Sequence, residues 1–168
     1  RGWVRCDQQE LAFGSVNFRG LPGWKNVLGL WIYQEGICVN QIDLVLDICV
    51  RHGVTTLWLS VQLQSFCSDR GSVIAIDLER PPITFPANVH FILGDSIAES
   101  TVAEVRTRSV GHKTLVLADG NHAAEHVLAE KRLYAPFIRP GSYFTADDGL
   151  VAVMGWTGFP PGPAGAAR

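Results

Sequence analysis

Asp47, Asp77, Asp95, Asp119 and the pair Asp147-Asp148 each stand in, or just beyond, a short apolar run of the sequence. Carboxylates do not favour strands, so their recurrence at the ends of strand-like runs needs a cause. Taken singly, each Asp is explained as a turn former or helix N-cap. Taken as a row on one rim of a sheet, they are better explained by a shared ligand site. Asp147 and Asp148 follow Asp119 by 28 and 29 positions, a spacing that suits the ends of two neighbouring strands. Hard oxygen donors with open positions suit Mg²⁺, which keeps waters or takes substrate oxygens. His122 and His126 lie four apart, on one helix face. The Glu that a zinc protease carries directly after its first His is absent. His122 beside a metal has the chemistry of a general base, whereas His126 is read as structural. His52, His90 and His112 carry no pattern.

Asp77 lies 24 positions beyond Gly53, close to the ~20 that separate a glycine-rich turn from a ribose-binding acid. The turn itself is poor in glycine. Asp47-Ile48-Cys49-Val50-Arg51-His52-Gly53-Val54-Thr55 offers one, where loops that hold phosphate or adenosyl groups carry more.

These residues need elements to position them. Apolar periodicity predicts a helix over 31–39, a buried strand over 42–50 and a helix over 55–66 capped by Thr55 or Thr56. Strands follow over 72–77 and 89–93, then a helix over 100–108 with an acidic start and basic end. A strand over 114–119, a helix over 123–134 stopped by Pro136, and a strand over 142–146 complete the alternation. Strands alternating with helices imply an α/β fold with a mostly parallel sheet covered by helices on both faces. In such sheets ligands bind beyond the carboxyl ends of the strands, where strand order reverses. Residues 1–23 read as an irregular segment, 24–150 as the α/β domain, and 151–168 as a Gly/Pro-rich tail that is a loop or a frayed end.

The chain has 168 residues, 47% hydrophobic and 18% charged, with a formal net charge of −2. Such a chain has a core too rich for disorder and no basic surplus for a phosphate backbone, which argues against a nucleic-acid partner. No run approaches the ~18 apolar residues of a membrane span. Cys6, Cys38, Cys49 and Cys67 show no zinc or redox spacing and read as buried thiols in a reducing cytoplasm. The opening Arg1-Gly2-Trp3 is not that of a signal peptide, and the missing initiator Met indicates a processed or constructed end.

The block from Asp119-Gly120-Asn121-His122 through Glu125-His126-Val127-Leu128-Ala129-Glu130, with Leu133-Tyr134-Ala135-Pro136 and Pro140-Gly141-Ser142-Tyr143, resembles the cephalosporin hydroxylase/rhamnosyl O-methyltransferase family. Trp24-Lys25-Asn26, Leu30 to Glu35, Val73 to Asp77, Gly94-Asp95-Ser96 and the Gly158–Ala164 segment extend the likeness over residues 18–164. The resemblance implies the Rossmann-like methyltransferase fold, with S-adenosylmethionine and Mg²⁺ as cofactors. By it, Asp47 and Gly53 match the cofactor loop, Asp77 the acid for the ribose hydroxyls, and Asp95-Ser96 the adenine-side turn. Asp119, Asp147 and Asp148 match the Mg²⁺ ligands, with Asp147 in place of a usual Glu. His122 matches the segment facing the acceptor.

Two departures stand in the cofactor loop: Cys49 replaces its first glycine and Val54 the glycine after Gly53. A side chain at either place is expected to block the cofactor or force another loop conformation. The family continues beyond the acid pair, so the chain reads as C-terminally truncated. The resulting expectation is a cytoplasmic Mg²⁺-assisted O-methyltransferase acting on a small-molecule hydroxyl acceptor, a sugar or secondary metabolite, as in antibiotic biosynthesis. His122 is its proton acceptor. Its rivals are a non-catalytic relative serving as a partner subunit, and a β-lactam hydroxylase. Family members often assemble, so a homo-oligomer is an open expectation; Trp3, Trp24 and Trp31 suit either an interface or the core.

Overall fold

Five short strands, each parallel to its neighbours, form the centre of the molecule. A computed structural model describes residues 15–149 and 162–166. Its elements are β1 (Asn17–Phe18), β2 (Leu21–Pro22), α1 (Val27–Asn40), β3 (Leu44–Ile48), α2 (Val54–Cys67), β4 (Ser72–Asp77), β5 (Val89–Leu93), α3 (Glu99–Ser109), β6 (Thr114–Ala118), α4 (Ala124–Tyr134), β7 (Tyr143–Ala146) and α5 (Pro163–Ala166). The sheet order is β5-β4-β3-β6-β7. Leu46 faces Ile74 on one side and Val116 on the other, so β3 lies at the middle.

Every residue of β3 and β6 is buried, as expected of central strands covered on both faces. The two-residue period of a strand sorts their side chains into two cores. Leu44, Leu46 and Ile48 join Ile74, Ile76, Val102, Val105, Val116 and Tyr134 beneath α3 and α4. Val45 joins Ile37, Leu59, Leu63, Val73, Leu115 and Leu117 beneath α1 and α2. Asp47, one residue from the end of β3, therefore points to the α2 side.

The helices begin where the chain supplies caps. Asn26 accepts from the backbone N–H of Leu28 (2.8 Å) and Gly29 (3.3 Å), which starts α1 four residues earlier than periodicity predicts. At α2 the expected threonine cap is replaced by Gly53, left-handed at φ 77°. The hydroxyl of Thr56 is instead turned inward to Asp47. The predicted strand over 42–50 is trimmed to Leu44–Ile48 because Cys49 is left-handed at φ 73° and leaves the ladder.

Other expectations need correction. Within the segment read as irregular, 17–22 forms a hairpin; Arg19 and Gly20, at φ 54° and 81°, supply the two left-handed residues of a tight turn. In the tail, Pro163–Ala166 is a helical turn with Pro163 and Ala166 buried, and 150–161 and 167–168 lie outside the described residues. Cys38 and Cys49 are exposed and Cys67 half-buried rather than core thiols; all three are free. Trp31 is 66% exposed and does not belong to the core; Trp3 and Cys6 lie outside the described residues. No helix among the described residues is long and apolar enough to cross a membrane.

Candidate active site at the switch point of the sheet

Strand order reverses between β3 and β6, because the chain steps outward from β3 to β5 and then returns to β3's other side. The carboxyl ends of β3, β6 and β7 open there into a cleft of about 820 Å³. The acids at its base are held in register by the ladder itself. Asp119 N–H donates to Ile48 O (3.3 Å), and Asp147 N–H to Ala118 O (3.0 Å), each one residue beyond its strand. This is why residues 28 positions apart meet.

Asp147 and Asp148 are adjacent in sequence but serve different partners. Asp148 is left-handed at φ 57°, and its Oδ2 lies 3.3 Å from His122 Nε2. One donor atom each from Asp119, His122 and Asp148 fall within 4.8 Å of one another. Oxygen and imidazole donors so grouped match the chemistry of a divalent-cation site. Asp147 faces the other way, receiving the Lys25 ammonium on Oδ2 and the Tyr33 hydroxyl on Oδ1. Lys25 Nζ also donates to Asp119 Oδ2 at 2.6 Å.

Lys25 is only 8% exposed. Burial alone would lower its pKa, but Asp147 and Asp119 outweigh it and raise the pKa above its ordinary value. Burial, then Asp147, raises Tyr33, keeping it a hydroxyl donor. Burial also raises Asp119, opposed by Lys25 and reinforced by Asp147. Neither Lys25 nor Tyr33 received a role from the sequence. The signals were that both fall in segments sharing the family likeness and that Lys25 is the lone charge between Arg19 and Glu35; nothing local links it to acids some hundred positions away.

The residues matched to the cofactor sit at or near the carboxyl ends of β3, β4 and β5, but Asp47, Gly53, Asp77, Asp95 and Ser96 do not line the cleft itself. Asp47 is buried, accepts from Thr56 Oγ1 at 2.6 Å, and is pushed up to about 6 by burial. It buttresses the rim from below. Asp77 accepts the backbone N–H of Arg51 (2.7 Å) and of Glu79 (3.1 Å), so it braces the loop after β3. Asp95 closes its own turn by accepting from Ile97 N. Ser96 turns its hydroxyl inward to Glu130 (2.6 Å), which also lies 3.2 Å from His126 Nε2. Its side chain is thus committed to the α4 packing, as His126 is.

The altered loop keeps a glycine-type backbone at both key places. Gly53 has no room for a Cβ, which would meet Ile83 Cδ1 at 2.2 Å. Cys49 adopts the left-handed conformation that favours glycine. Its thiol side chain stands in the cleft, its Cβ 3.2 Å from where a Cβ on Gly120 would lie. Burial, then Asp77 and Asp119, push that thiol up to about 11, so it is a poor nucleophile. Val54 is accommodated differently. It is buried at the start of α2, and Gly23 leaves space for it: a Cβ there would meet Val54 Cγ1 at 3.0 Å. Above the cleft, the Arg51 guanidinium stacks on Trp24, 4.1 Å from the ring centroid.

The family model for rhamnosyl O-methyltransferase/CmcI matches residues 12–166. The chain belongs to this family. Among curated members, the rhamnosyl O-methyltransferase of Mycobacterium tuberculosis is 24% identical over 162 residues, covering 91% of this chain and 65% of that protein. That of Mycobacterium leprae is 23% identical over 141 residues, covering 81% and 61%. The chain therefore spans just under two thirds of the length of these relatives. Among solved structures, CmcI described with Mg and SAM superposes with a TM-score of 0.68 at 20% identity, covering 87% of this chain and 64% of that one. The MycE methyltransferase of the mycinamycin biosynthetic pathway, in complex with Mg and SAH, gives 0.61 at 24% identity, covering 89% and 39%. These likenesses establish the Rossmann-like α/β methyltransferase fold expected from the sequence.

Proposed function

We propose that this chain carries the catalytic site of an S-adenosylmethionine- and Mg²⁺-dependent O-methyltransferase acting on a hydroxyl of a sugar or secondary metabolite. The observation that carries this reading is the convergence of Asp119, His122 and Asp148 at the switch point of a methyltransferase-type sheet. The carboxylate oxygens of Asp119 and Asp148 fit Mg²⁺, a hard cation, and His122 stands beside them in the cleft, close to a third acid. Bound there, Mg²⁺ would supply a Lewis acid that lowers the pKa of an acceptor hydroxyl.

The chain's own groups divide the remaining work. Asp119 and Asp148 hold the cation, and His122 takes the hydroxyl proton as its oxygen bonds to the methyl carbon leaving sulfur. Asp77, already fixing Arg51, offers its carboxylate to the ribose hydroxyls, and the Asp95-Ser96 turn borders the adenine. Gly53 lets the backbone pass close to the cofactor. The cleft holds the two reactants together, the effect that supplies up to ~7–11 kcal/mol in favourable cases.

Calorimetric titration of S-adenosylmethionine with and without Mg²⁺, followed by transfer of a labelled methyl group to glycoside acceptors, tests the reading. Micromolar binding and His122→Ala turnover reduced by roughly 10²–10⁴-fold are expected. A folded protein that ignores millimolar S-adenosylmethionine sinks it. The rival role of non-catalytic partner subunit draws on one observation, the Cys49 side chain inside the cleft, and that result would put it first.

A further inference from the structure

The acids at the cleft base do not act alike. Asp148 shares a point in space with Asp119 and His122, whereas both oxygens of Asp147 are already engaged, by Lys25 and Tyr33. Lys25 reaches them from the segment just before α1, held in place by the Asn26 cap. A buried ion pair contributes little stability over an apolar pair of similar volume, so packing alone does not account for a lysine here. Charge does. Three carboxylates against one ammonium leave the rim two negative charges in excess, the amount a divalent ion neutralises.

We propose that Lys25 is a positioning residue of the cation site, a tethered counter-charge that withholds Asp147 from the divalent ion and competes with that ion for Asp119. This rests on the cation-site reading above and departs from the ligand set that the family resemblance implies. The substitution of Asp for the usual Glu at 147 fits it. An arm one methylene shorter stays with the lysine instead of reaching the ion. Lys25 acts through the two carboxylates and is not itself placed on the reacting atoms.

The experiment is titration of the purified chain with Mn²⁺, read by its paramagnetic resonance signal and by thermal unfolding, with Mg²⁺ as competitor. The wild type binds one ion, and Asp148→Asn weakens it by more than about thirtyfold, as expected on losing a contact ligand. Asp147→Asn weakens it by less than about tenfold, because only a nearby charge is lost. Lys25→Met tightens binding by roughly tenfold and enlarges the rise in Tm on adding Mn²⁺, since the ion then covers carboxylates left without a partner. Lys25→Arg restores affinity near the wild-type value. Should Lys25→Met not fold, the double variant Lys25→Met/Asp147→Asn removes one charge of each sign and binds within about threefold of wild type.

Loss of Mn²⁺ binding in Asp147→Asn or the double variant as complete as in Asp148→Asn overturns the proposal, as does a Lys25→Met affinity equal to wild type. A wild type that binds no Mn²⁺ or Mg²⁺ overturns the cation-site reading with it, so the two failures are told apart.

Discussion

Cys49 and Val54 depart from the family's loop in the same way on paper and both border the cleft, but Cys49 is exposed there and Val54 is buried. Cys49 sits at φ 73° with its side chain in the cleft. Replacing it by glycine relieves a left-handed conformation that costs of order 1 kcal/mol and widens the cofactor approach. Cys49→Gly is expected to tighten S-adenosylmethionine binding by roughly tenfold, about 1.4 kcal/mol, with calorimetry as the measurement. Val54 also borders the cleft but is buried over the space that Gly23 leaves. Val54→Ala should cost about 2 kcal/mol in urea unfolding and change cofactor affinity less than Cys49→Gly does, because its side chain is mostly buried. Adding Val54→Gly to Cys49→Gly then lowers stability with little further gain in binding. Both residues were legible as departures; only their surroundings separate them.

At the scale of elements, the start of α1 and the face of α4 set the site. Asn26 caps α1 through Leu28 and Gly29 and stands next to Lys25. Asn26→Ala should cost about 1 kcal/mol, seen as a lower urea midpoint, while Asn26→Asp is tolerated. On α4, Glu130 is buried and receives Ser96, with His126 beside it, and the Tyr134 hydroxyl donates to Ser96 O at 2.5 Å. This cluster ties the loop after β5 to the helix. Glu130→Gln can still accept the Ser96 hydroxyl and should cost under about 1 kcal/mol. Glu130→Ala leaves buried groups unpaired and should cost about 2–3 kcal/mol by the same assay. The sequence marked Ser96 as a cofactor-side residue and read His126 as structural. Their meeting depends on α4 packing across the sheet end, which no local pattern encodes.

For the molecule as a whole, burial raises Asp47, Asp119 and Glu130 together. Each holds its proton more tightly folded than unfolded, so each adds stability at low pH that is lost as pH rises. For Asp47 that loss falls between about 3.8 and about 6 and amounts to ~3 kcal/mol at most. Cation-free protein should therefore resist mild acid, with urea midpoints at pH 5 no lower than at pH 7. Asp47→Asn keeps an acceptor for Thr56 while removing the buried charge. It should raise the midpoint at pH 7 and flatten this dependence.

The alternation of apolar runs determined the strands and helices of the central sheet layer, with β4 and β5 right to the residue, because side-chain period and strand length are properties of the local chain. The acids at strand ends likewise identified the rim, since a parallel sheet brings all carboxyl ends to one side. Tertiary structure alone decided which acid faces which partner. Asp147 and Asp148 are neighbours in the chain, yet a left-handed backbone at Asp148 sends one carboxylate to His122 and the other to Lys25 and Tyr33. The pairings of Asp147 close across more than a hundred residues, and their partners come from α1 and the segment just before it, not from any spacing along the sequence.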